Sequence, residues 1–199
     1  MIPVTAPDGI AVNFWYRLAR VEFPSQFFAS PGSRLTPDNR AFPCVYLGAS
    51  LETTVAEVWG DRFAAQRDSG QSLYVISASH AQKWAYLRAF PLPPLLRLCD
   101  LTDATTRLAA GIDSSTLYSP DLTIPQEWAT RIACHPARFD GIHYRSRHTD
   151  ESCLVLWSRV DEVRPLSQQL IFAPHGDFAE SDAAYTLAGK IGVQLSFAW

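Results

Sequence analysis

Three observations predict an α/β (α+β) fold in a single domain. Short β-branched and aromatic runs, CVYLG at 44–48, LYVISA at 73–78 and SCLVLW at 152–157, have the length and composition of strands. Between them, 51–65 and 124–134 repeat apolar residues at helical spacing. No internal repeat, low-complexity run or linker divides the 199 residues, a length that suits one domain with a real core.

The elements follow in order. Residues 1–12 form a loose lead-in, and Val12–Ala19 (VNFWYRLA) has strand composition. Arg17 inside it reads equally well as an edge-strand arginine, its stem packed and its head in water. Residues 22–43 carry four prolines and read as a long loop, packed down through Phe23, Phe27, Phe28 and Phe42. Arg34 follows the turn Pro31-Gly32-Ser33, which can present a guanidinium at a cleft, although a solvated loop arginine is the ordinary reading. Cys44–Gly48 is a buried strand, and Ser50 is an N-cap with Glu52 favourably placed in the first helical turn.

The helix runs from Leu51 to about Ala65, with Leu51, Val55, Val58, Trp59 and Phe63 on one stripe. Glu57 lies nearly opposite that stripe, beside Thr53, Thr54 and Asp61. Periodicity leaves it open whether that face meets solvent or a cleft. A turn at 67–71 leads to a strand at Leu73–Ala78, and His80–Phe90 stays unassigned. PLPP at 91–94 stiffens the approach to a strand at Leu95–Leu101, and Thr102–Ala110 suits a short helix closed by Gly111. Ile124–Cys134 is a helix with Pro125 in its first turn. Phe139–Arg147 and Ser152–Trp157 form a hairpin around Arg147–Glu151, with Ser146 where strand meets loop, either a turn serine or a ligand contact. A strand near Arg164–Phe172 and a helix near Ser181–Lys190 complete the prediction.

Composition bounds the function. Hydrophobic residues make up 47% and charged residues 19%, with a net charge of −3. That balance is globular, and it lacks the basic excess of a general nucleic-acid binder. No signal peptide or membrane span is legible, so a cytoplasmic location is expected, with the four cysteines as reduced core thiols. The five histidines show no metal-ligand spacing, and neither GxSxG, GxGxxG nor a P-loop is present. What remains is a set of arginines, tyrosines, a glutamate and a serine. Such a set suits an anionic ligand containing ribose: guanidinium forks pair with phosphates, and a carboxylate stabilises charge developing at an anomeric carbon.

Four stretches carry a resemblance: YRL at 16–18, GSRLTPDNRAFPCVYLGAS at 32–50, TTVAEVWGD at 53–61 and DGIHYRSRHTDESCLVLW at 140–157. In order and spacing, over about 14–160, the chain resembles the RES domain family, named for an arginine, a glutamate and a serine. Arg17, Arg34, Tyr46, Glu57 and Ser146 match the family's residues, with Arg20 a second candidate for the first arginine. The family loop usually reads GGRW, and here Leu35 takes the tryptophan's place.

The resemblance implies a fold similar to ADP-ribosyltransferases, a mixed curved sheet with flanking helices and a central NAD cleft. It implies a toxin that cleaves the nicotinamide–ribose bond of NAD, with phosphate or water as acceptor. NAD is then a substrate, and no cofactor or metal is expected. The implied roles are phosphate binding for Arg17 and Arg34, packing on nicotinamide or ribose for Tyr46, stabilisation of the ribosyl cation for Glu57, and ligand positioning for Ser146. The implied partner is a helix-turn-helix (Xre-type) antitoxin, through which alone DNA is contacted. ADP-ribosyl transfer to a macromolecule and an inactive NAD-binding module are the alternatives.

Overall fold

The run Ser152–Trp157 is buried at every position, which a strand can be only when both its faces are covered. The computed structural model, which describes residues 15–23, 33–37, 42–90, 96–159 and 166–198, places this run inside a seven-stranded mixed sheet. The elements are β1 (Trp15–Arg20), β2 (Cys44–Gly48), α1 (Leu51–Asp68), β3 (Leu73–Ser77), α2 (Ala78–Ala81) and β4 (Trp84–Phe90). Then come β5 (Leu98–Asp100), α3 (Ala104–Ala110), α4 (Ser114–Leu117), α5 (Thr123–Ala133), β6 (Gly141–Arg145) and β7 (Ser152–Trp157). Last are α6 (Leu166–Gln169), β8 (Ile171–Asp177), a single 3-10 turn at Phe178–Glu180, α7 (Asp182–Ile191) and β9 (Gln194–Ala198). The main sheet has the order β5-β6-β7-β2-β1-β4-β8, and β3 and β9 pair in parallel as a separate ribbon.

Strand alternation sends one set of side chains to each face. On one face, α1 lays Val55, Trp59 and Phe63 against Leu18, Tyr86 and Phe178, joined by Leu187 and Ala188 of α7. Each of these large side chains contributes about 1.5–3 kcal/mol by leaving water. On the other face, Trp15, Val45, Leu47, Leu154 and Leu156 pack beneath Leu166 and Leu170. A third cluster joins β5–β7 to α5 through Ile142, Val155, Ala129 and Ile132. Ser50 caps α1 as its position suggests, accepting from the Thr53 N–H at 3.1 Å, and Gly111 closes α3 with φ 70°.

Several expectations are corrected. The strand expected near Arg164–Phe172 starts late and runs on: Leu166–Gln169 is helical, and the strand is Ile171–Asp177, sharing only Ile171 and Phe172 with the expected stretch. Phe172 pairs with Ala89 of β4, so register with the neighbouring strand, rather than local composition, sets the start. Cys134 is exposed, whereas Cys44, Cys99 and Cys153 are buried thiols. In β9, which needs no correction, Phe197 is buried against Phe178 and Tyr185. The first residues of the Val12–Ala19 strand, and PLPP, lie outside the described residues. No helix among the described residues is long and apolar enough to cross a membrane.

The pairing of β1 with its two neighbours is uneven. Six residue pairs join β1 to β4 and five join β2 to β7, but β1 meets β2 at a single registered pair, Tyr16–Gly48. Beyond that pair the two strands diverge, and the sheet is split between them.

Candidate active site

A cleft of about 530 Å³ lies at this split, lined by Arg17 and Leu18 of β1 and by Cys44, Val45 and Tyr46 of β2. Such a volume suits a nucleotide-sized ligand. Helix α1 contributes Glu57 and Asp61, which are four residues apart and therefore share a face. The arginine loop supplies Arg34, and Tyr144 and Arg147 enter from the β6–β7 hairpin.

Four of the five residues matched to the family thus reach one cleft. Arg17 is not an edge-strand arginine with its head in water: β1 is internal, and Arg17 is 5% exposed. Its guanidinium lies 5.4 Å from the centre of the Phe172 ring, and burial lowers its pKa to about 10, so it stays cationic at neutral pH. Arg20 instead ends β1 in solvent, its guanidinium over Trp84. The Arg34 guanidinium donates to the Ser119 carbonyl, which fixes its direction. Burial pulls its pKa down, and the charge of Arg147 adds to that, while Asp61 and Glu57 oppose it.

Tyr46 does something its motif position does not reveal. Its hydroxyl accepts from the Leu35 N–H at 3.1 Å and lies 3.1 Å from Thr36 Oγ1. The tyrosine therefore pins the arginine loop to the sheet, and burial holds its hydroxyl proton on, far above the ordinary tyrosine range. Leu35 is 3% exposed and packs in the core cluster of Tyr144 and Trp157, so a leucine suffices to anchor the loop where the family has tryptophan.

Glu57 is itself exposed, and it lines the cleft. Tyr144 donates to Glu57 Oε2 at 2.6 Å, a charge-assisted bond to a carboxylate at the cleft wall. Burial, and then the Glu57 charge, drive the Tyr144 hydroxyl well above its usual range, so it remains a donor. The Cys153 thiol beneath the pair is raised for the same two reasons. Thr53 and Thr54, on the same side of the helix, are buried: Thr53 meets Thr149 and Glu151 of the hairpin turn, and Thr54 donates to the Leu51 carbonyl. Glu151 of that turn accepts from Ser50 and Thr53 at the N-terminus of α1, where the helix dipole favours a carboxylate.

Ser146 stands apart. It is 2% exposed, and its hydroxyl accepts from the His148 N–H at 3.4 Å, so it shapes the turn behind the cleft rather than lining it. The next two residues face the ligand space: Arg147 pairs with Asp61, and His148 Nε2 lies 2.8 Å from Asp61 Oδ1. Sequence reasoning missed Asp61, Tyr144, Arg147 and His148 as site residues. The available signals were the four-residue spacing of Asp61 from Glu57 and the position of Tyr144 two residues before Ser146.

This cluster makes two predictions. The hydrogen bond from His148, and then Arg147, hold the Asp61 carboxyl down at about 2, against its partial burial. A lowered folded-state pKa means that the pair's stabilisation is present above about pH 4 and lost as pH falls toward about 2. Asp61 is 63% exposed, so solvent screens the effect and the slope is small. Melting curves between pH 2 and 5 should show this slope in the wild type and a flatter one in Asp61→Asn. At Gly60, an added Cβ would stand 2.7 Å from His148 Nε2. Gly60→Ala should therefore displace His148 and cost about 1–3 kcal/mol in chemical denaturation.

Across the sheet is a look-alike. Asp100, His143 and Ser152 form a hydrogen-bonded chain of 3.2 Å and 3.1 Å. His143 faces away from neighbouring Tyr144, and Ser152 is 4% exposed, so this chain ties β5, β6 and β7 together without offering a nucleophile.

The family model described as RES domain matches residues 14–179, extending through β8. A chain of the crystal structure of the M. tuberculosis MbcT-MbcA toxin-antitoxin complex is similar in fold, with a TM-score of 0.55 and 20% identity. The match covers 82% of this chain and 84% of that one. No curated protein matches.

Proposed function

The chain belongs to the RES domain family, and from that premise we propose that it is an NAD-degrading toxin held in check by an antitoxin. The observation that carries this reading is the pairing of Glu57 with an arginine-lined cleft. Arg17, Arg34, Arg62 and Arg147 meet only two carboxylates, Glu57 and Asp61, among the described residues that line it, so arginines outnumber carboxylates by two. On a chain of net charge −3, that local excess suits a diphosphate dianion.

In this reading Arg17 and Arg34 bind the phosphates and bring the nicotinamide riboside end toward Glu57. The carbon–nitrogen bond breaks with its electron pair leaving on nicotinamide, whose pyridinium charge is thereby neutralised, so no general acid is needed. Positive charge develops on the ribosyl carbon, and the Glu57 carboxylate, fixed by Tyr144, is already in place to stabilise it. Phosphate or water then adds to that carbon. Tyr46 holds Arg34's loop in register, and Ser146 shapes the turn that presents Arg147. The partner proposed for this chain is a helix-turn-helix antitoxin. The support is the family, together with the neighbouring fold's capture in a toxin–antitoxin complex.

The test is direct. Purified protein incubated with NAD should release nicotinamide, with ADP-ribose 1-phosphate formed when phosphate is present and ADP-ribose when it is not. Intact NAD under both conditions, from protein that melts cooperatively, would overturn the reading.

A further inference from the structure

Arg147 follows the buried turn serine and is 34% exposed at the cleft, paired with Asp61 of α1. The same carboxylate also takes His148, and the backbone on either side is fixed: Ser146 N–H donates to the Glu151 carbonyl at 2.9 Å, and Asp150 N–H to the Ser146 carbonyl at 2.9 Å. A guanidinium on a rigid turn, braced by a rim carboxylate, is preorganised for an anion and loses little freedom on binding. Across the cleft Arg34 is equally fixed, by the Ser119 carbonyl. Among the described residues, Arg147 is anchored by Asp61 and Arg34 by the Ser119 carbonyl, and each guanidinium has five N–H donors to share between its anchor and a ligand.

We propose that Arg147 and Arg34 form a two-armed clamp on the diphosphate of the substrate, so that Arg147 selects dinucleotides over ligands lacking a diphosphate. The proposal rests on the NAD reading above and deepens it. The two cations lie close enough for Arg147 to depress the pKa of Arg34, a repulsion that a bound dianion would relieve. Asp61 competes with the ligand for Arg147, so it sets how readily the clamp opens toward the phosphates.

The experiment compares wild type, Arg147→Gln and Asp61→Asn with two substrates and one non-reacting probe. Arg147→Gln should raise KM for NAD about tenfold or more, the loss of one charge-assisted contact, with kcat within about threefold. Its kcat/KM for nicotinamide riboside, which has no diphosphate, should not change. Calorimetric titration with ADP-ribose should show the same loss of affinity in Arg147→Gln, whereas Asp61→Asn, freed of the competing carboxylate, should bind ADP-ribose more tightly than wild type.

Equal losses on NAD and nicotinamide riboside, or a fall in kcat at constant KM, would overturn the clamp. So would a loss of affinity in Asp61→Asn matching that of Arg147→Gln, because the pair would then be only a structural brace. If the wild type does not cleave NAD, the functional reading fails, and the clamp is still judged by the ADP-ribose titrations alone.

Discussion

Glu57→Gln is expected to slow nicotinamide release by about 10²–10³-fold, the loss typical of removing one preorganised electrostatic group from a developing charge. The substitution preserves shape, and the amide oxygen of glutamine can still accept from the Tyr144 hydroxyl, which now stands 2.6 Å from the carboxylate. The fold should therefore be kept, and ADP-ribose binding should be retained or tightened, because a negative charge is removed from a cleft that receives a dianion. Stopped or quenched assays of nicotinamide, alongside calorimetric ADP-ribose titration, separate the two effects. Turnover within tenfold of wild type would remove Glu57 from the chemistry. Equal loss of binding and turnover would make it a binding residue instead.

Arg17→Met should differ in what it loses: ligand binding falls while stability is kept. A guanidinium that is 5% exposed, with its pKa lowered to about 10 by burial, has given up solvation that a thioether does not require. Methionine fills a similar volume beside Phe172. Tm should hold or rise, by about 2–4 °C for each kcal/mol recovered in a chain of this size. ADP-ribose affinity should fall about tenfold to a hundredfold, the loss of a strong charge-assisted contact. A large drop in Tm with affinity unchanged would assign Arg17 to the core alone.

The strands and helices with strong local signals were legible in the sequence. Cys44–Gly48, the capped helix from Leu51 and the hairpin flanking Arg147–Glu151 appear where composition, capping and periodicity place them. The strand assigned near Arg164–Phe172 was not, because β8 owes its limits to pairing with β4. Strand β9 was missed for a similar reason, since its partner β3 lies more than a hundred residues upstream. For the candidate site, the resemblance named five residues, four of which line the cleft. Their particular tasks were hidden. Nothing in CVYLG says that the Tyr46 hydroxyl will be consumed by Leu35 and Thr36, and nothing near Ser146 says that its hydroxyl will point into a turn.

By itself, the sequence determined the secondary-structure skeleton, the family and the residue types available for chemistry, because these rest on spacings of a few residues along the chain. Only the tertiary structure decided what meets what. The single contact between β1 and β2 splits the sheet, the split admits Arg17, and a tyrosine 87 residues from Glu57 holds that carboxylate in place. Those arrangements depend on strand order and register. Both are set by packing between segments distant in the chain, which no local pattern encodes.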